Sequence, residues 1–164
     1  MDHQNVNGNS IEQEPAQASN EAVIGAGAGK ASKMDAAKAL LILRGFIGRS
    51  QLRAIDAAVW GEERQFFFDK LVELGNRVAA MPKTYEQDGM GDEAVAHLHY
   101  FTGGFDWYIT EKDMEAEQLQ AFGLADLGHG GELGYIAISE LIAHGAELDM
   151  YFTPSTLATI KAGR

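Results

Sequence analysis

The hydrophobic pattern of this chain changes period once, and that change sets what it can fold into. Up to Pro82 the apolar residues recur every three to four positions. Leu52, Ile55 and Val59 form one such stripe, and Phe67, Leu71, Leu74 and Val78 form a longer one that Phe68 and Val72 widen. From Val95 the period is two: Val95, His97, His99 and Phe101 fall on one face of a strand, and Ala96, Leu98 and Tyr100 on the other. Helices first and an antiparallel meander second is an α+β pattern.

The turn chemistry divides the chain further. Ser32 and Asp35 start a helix over 36–46 that ends near Gly45 or Gly48, and Ser50 caps the next. A third helix spans 62–80 and stops at Pro82. Thr102-Gly103-Gly104 turns one strand into another over 105–110. Further strands are expected over 118–124, 133–138 and 148–152. Ser139 caps a short helix over 140–144, and Thr153-Pro154 opens a last one, with Leu157 and Ile160 facing inward. The helices are expected to cover one face of the sheet. Residues 1–31, rich in Asn, Gln, Gly, Ala and Glu, read as a disordered tail. Residues 32–164 read as one domain, with a helical segment over 32–81 and a sheet-rich segment over 94–160.

Charge separates the same two halves. The net charge is −11. Residues 30–83 carry ten Lys/Arg against six Asp/Glu, while 86–149 carry fourteen acids and one base, Lys112. The acidic half repels phosphate backbones, which argues against direct nucleic-acid binding there, and attracts a basic protein surface. With no cysteine, disulfides, thiolate metal sites and cysteine nucleophiles are excluded. No apolar run reaches the ~18 residues of a membrane span, and residues 1–20 lack the basic and apolar regions of a secretory signal, so the expected location is the cytoplasm.

Motif chemistry is sparse. Gly25-Ala26-Gly27-Ala28-Gly29-Lys30 lacks the glycine at 24 and the hydroxyl residue at 31 of a phosphate loop, and reads as a linker. His97 and His99 are the candidates for a metal site, since residues two apart on a strand point the same way, with Asp106 as a third donor. Glu111, Asp113, Glu115 and Glu117 crowd the segment after the second strand and form the exposed centre of an acidic binding surface, with Trp107 and Tyr108 beside them. No Ser–His–Asp set or nucleophile elbow is present, and no cofactor is expected.

Four blocks in the sheet-rich segment carry a resemblance. They are Trp107-Tyr108-Ile109-Thr110-Glu111, Phe122-Gly123-Leu124-Ala125-Asp126-Leu127-Gly128, Glu132-Leu133-Gly134-Tyr135, and Asp149-Met150-Tyr151-Phe152-Thr153-Pro154. In this order they resemble a family of small bacterial proteins of unknown function carried on plasmids, phages and integrative elements. The resemblance implies a setting, accessory cargo of mobile DNA often near antirestriction genes, and no reaction. The reading is therefore a non-enzymatic accessory protein that binds a basic partner protein through its acidic surface, with an anti-defence role of antirestriction or anti-CRISPR type. The alternatives are a small metal-dependent enzyme using His97 and His99, and a nucleic-acid contact through the basic helices.

Overall fold

Ser32 starts the first helix through a reciprocal cap. Its hydroxyl accepts from the Asp35 amide at 3.1 Å, and the Asp35 carboxylate accepts from the Ser32 amide at 3.0 Å. In the computed structural model, which describes residues 24–25, 29–113 and 120–163, the helical half consists of α1 (Lys33–Leu43), α2 (Arg49–Ala58) and α3 (Arg64–Ala80). Gly48 caps α2 through its carbonyl, which accepts from Leu52 N, so Ser50 lies inside the helix rather than at its cap. The stripe on α3 holds: Leu71, Leu74 and Val78 are buried, and Phe67 and Phe68 pack against the same core.

The strands are β1 (Val95–Ala96), β2 (Leu98–Thr102), β3 (Phe105–Glu111), β4 (Gln120–Asp126), β5 (Glu132–Ala137), β6 (Glu147–Leu148) and β7 (Ser155–Thr156). Two further helices, α4 (Ile138–Ala143) and α5 (Leu157–Ala162), follow β5 and β7. The main sheet is antiparallel with order β5-β4-β3-β2-β6, and β1 pairs separately with β7. The α+β class expected from the sequence is the class observed. The β2–β3 hairpin turns on Gly103 and Gly104, whose φ values of 54° and 89° suit glycine at both central positions.

One sheet face meets the helices. Leu98, Tyr100, Ile109, Ala121 and Ile136 are buried there with Ala39, Leu43, Leu71 and Leu74 of α1 and α3. Tyr100 is fully buried and donates its hydroxyl to the Phe46 carbonyl at 2.7 Å; burial pushes its pKa up. On the opposite face a smaller cluster of Ala94, Ala96, Leu124 and Leu157 packs with Tyr108, Phe152 and Ile160.

Several local expectations are corrected. The strand expected over 95–101 breaks at His97, so Ala96 joins the smaller cluster and Leu98 the larger one. The strand expected over 148–152 is only Glu147–Leu148, because Asp149 turns the chain by accepting from Tyr151 N. The last helix does not begin at Pro154: Ser155 and Thr156 pair with Ala96 and Val95, and Thr156 then caps α5 by accepting from Thr159 N. Ser139 lies inside α4, whose N-cap is Ala137. The buried core also reaches upstream of Ser32. Ile24 is buried and its amide donates to Asn76 Oδ1, and Ala31 is buried with its amide on Asp69 Oδ1. The rest of the expected tail, 1–23 and 26–28, lies outside the described residues.

Candidate functional site

A β-bulge in β3 builds the site. Tyr108 pairs with Leu124 and Ile109 with Gly123, but Glu111, not Thr110, pairs with Phe122. The extra residue shifts the alternation, so Glu111 turns away from the helices and toward the segment 84–91. Gly123 permits the close approach at this point. A Cβ there would lie 2.1 Å from the Tyr108 carbonyl oxygen.

Glu111 is only 4% exposed, and both its carboxylate oxygens are engaged. Oε2 accepts from the Tyr85 amide at 2.9 Å and Oε1 from the Gln87 amide at 2.5 Å. Gln87 extends the clamp: its side chain donates to the carbonyls of Val95 and Thr110 and accepts from Val95 N. Tyr85 is held at φ 76°, a left-handed conformation that costs a bulky residue roughly 1–2 kcal/mol. Such strain persists where the surroundings over-determine the backbone, and here the Glu111 carboxylate does so.

The clamp leaves a cavity of about 350 Å³ on the sheet face opposite α1 and α3. Ala94, Phe122, Leu133 and Leu157 make it largely apolar. Tyr85 and Tyr135, both more than half exposed, stand at it with their hydroxyls 2.8 Å apart, and Phe122 meets the Tyr135 ring edge to face at 5.5 Å. The hydrogen bond between the two hydroxyls raises the Tyr135 pKa, and desolvation and the negative charges of Glu111 and Asp113 push it the same way. Asp88 also lines the cavity, and no Lys or Arg does among the described residues. Lys112, the lone base of this half, points elsewhere. Its ammonium donates to the carbonyls of Val78 and Ala79 at the C-terminus of α3, and burial lowers its pKa, with Lys83 adding to the shift.

The expected site residues are dispersed. Glu111 is buried, which corrects its place at an exposed acidic centre; the bulge is the reason. Asp113 is partly exposed near Tyr135. Glu115 and Glu117 lie outside the described residues. Trp107 packs on the helix side, while Tyr108 lies on the other face, its ring stacked 4.5 Å from His99. Sequence reasoning missed Tyr85 and Gln87 altogether; the segment between α3 and β1 carries no periodic signal, and the Tyr85 backbone is held from Glu111, 26 positions away.

The histidines do not converge. His99 places Nε2 2.8 Å from Asp106 and Nδ1 3.1 Å from Asp149, which ties β2 to β3 and to the turn after β6. Asp106 does share a face with His99, but it meets the ring as a hydrogen-bond acceptor. His97 sits at the break before β2, where burial, and secondarily Arg77, lowers its pKa. Among the described residues no group of three or more His, Asp or Glu is placed to hold a metal ion.

No helix among the described residues is long and apolar enough to cross a membrane. Residues 70–157 match a protein family of unknown function, DUF2958. The match covers more than half of the 164 residues and takes in α3 from Lys70 onward, the clamp and the whole main sheet, so the chain belongs to this family. No curated protein and no solved structure matches the chain.

Proposed function

We propose that this chain is a non-enzymatic binding protein whose partner is a protein with a basic surface, and that a Lys or Arg side chain of the partner enters the cavity that Tyr85 and Tyr135 border. The observation that carries this reading is the make-up of the cavity. Its walls are largely apolar and aromatic, the two charged residues that line it, Asp88 and Glu111, are both negative, and the negative charge of Asp113 also acts on Tyr135. Aromatic rings attract a cation through their quadrupole, and the carboxylates add to that field. A volume of about 350 Å³ suits one long side chain better than a large cofactor. Glu111, the buried carboxylate, spends both oxygens on backbone amides, so it is poorly placed to act as a general base.

The blocks around Trp107, Gly123, Tyr135 and Asp149 support the setting of an accessory protein on a mobile element. In that setting the basic partner is a DNA-handling component of a host defence system, and the role is anti-defence.

The test is a calorimetric titration of the full chain with hexa-arginine and with hexa-glutamate, at low and high salt, repeated on Tyr135→Ala. That variant leaves the net charge unchanged. Binding of hexa-arginine that salt weakens, and that Tyr135→Ala weakens about tenfold, supports the reading. Binding untouched by Tyr135→Ala reduces it to diffuse charge attraction and removes the cavity from the account.

A further inference from the structure

The cavity opens beside the edge strand β5. In the sheet order β5-β4-β3-β2-β6, β5 pairs with β4 alone, and its six residues leave one backbone edge without a strand partner among the described residues. Edge strands of this length are ordinarily blunted by Lys, Pro, a bulge or a covering element. Glu132-Leu133-Gly134-Tyr135-Ile136-Ala137 contains no Lys and no Pro, and its register with β4 runs unbroken from Glu132 to Ala137. Leu133 and Tyr135, 46% and 58% exposed, stand on the cavity side of this edge.

We infer that the basic partner docks as an extended segment that adds a sixth strand to the main sheet along β5, with one cationic side chain reaching into the cavity at Tyr135. This inference rests on the proposed function and supplies its geometry. A strand added at β5 would lie about 4.8 Å away, and the residue facing Tyr135 would project on the same side of the sheet, the cavity side. Backbone pairing supplies affinity, and alternate side chains supply specificity.

Charge chooses the occupant. Glu132 lies on the edge, Asp126 ends β4 beside it, Asp113 and Glu111 lie near Tyr135, and Asp88 lines the cavity. The one base of this half, Lys112, is turned to the end of α3. An extended segment with Lys or Arg at alternate positions meets this edge with opposite charge. A second copy of this chain, itself at net charge −11, would bring like charge to this edge.

The test is selection of a random decapeptide library against the full chain, followed by amide hydrogen exchange on the complex with the tightest binder. The expected peptides carry Lys or Arg at alternating positions. Amides along β5 gain protection on binding, and N-methylation of the peptide amides that face β5 weakens it about tenfold or more. Basic peptides that bind but leave the β5 amides unprotected and tolerate N-methylation overturn strand addition and leave the basic-partner reading standing. Enrichment of peptides without Lys or Arg overturns both. Protection of β5 that rises with protein concentration in the absence of peptide assigns the edge to a second copy and overturns the inference.

Discussion

Removing the Glu111 side chain tests the clamp that makes the cavity. In Glu111→Ala the amides of Tyr85 and Gln87 lose their acceptors, and both lie partly buried. A buried donor left without a partner costs about 1–3 kcal/mol, and partial burial puts each near the low end. The sum is about 2–3 kcal/mol, offset in part as Tyr85 leaves its left-handed conformation. Glu111→Gln keeps one acceptor oxygen but turns an amide group toward the second N–H donor, for a loss of about 1–2 kcal/mol. Urea denaturation measures both losses as a lower midpoint at unchanged slope. Hydrogen exchange should show the Tyr85 and Gln87 amides losing protection in both variants. A Glu111→Ala protein within about 0.5 kcal/mol of wild type, with those two amides still protected, would refute the assignment of Glu111 as the clamp.

Three further outcomes follow from the same geometry. Gly123→Ala places a Cβ 2.1 Å from the Tyr108 carbonyl oxygen, against backbone that has no rotamer to change, and is expected to cost about 3 kcal/mol or more by thermal denaturation. Tyr85→Gly relieves a non-glycine φ of 76° and removes a ring that is 66% exposed, so it is expected to fold within about 1 kcal/mol of wild type while weakening hexa-arginine binding. His97 has a folded-state pKa below its ordinary 6.5, so between those two values the unfolded chain holds a proton that the folded chain lacks. Its contribution to stability is therefore complete above pH 6.5 and is lost as pH falls from there to the lowered value; denaturation of wild type and His97→Gln from pH 8 to 5 should show the wild type losing ground to the variant below pH 6.5.

Local interactions made much of the fold legible. The Ser32–Asp35 cap, the stripe from Phe67 to Val78 and the Gly103-Gly104 turn depend on residues within a turn or two of one another, and each occurs where its pattern stands. The departures depend on partners far along the chain. Ser155 and Thr156 form a strand because Val95 and Ala96 lie alongside, which delays the helix expected to open at Pro154. Ile24 is buried with its amide on Asn76 of α3. The candidate site was the least legible part for the same reason. A reading at strict period two places Glu111 with Trp107 and Ile109 on the helix side of the sheet, and a run of nearby acids reads as solvated. One extra residue at Thr110 reverses its side, and its hydrogen-bonding partners lie across the sheet in a segment without periodicity. The acidity of this half was readable from composition; that Asp88 and Glu111 line a largely apolar cavity was not.

The crystal structure of the full chain bound to a basic decapeptide selected from the library tests the central claim most directly. The account predicts a Lys or Arg side chain in the cavity beside Tyr85 and Tyr135, with the peptide backbone paired along β5. A peptide bound instead on the helical side, around Trp60 and Arg64, with the cavity at Tyr135 empty, would contradict it.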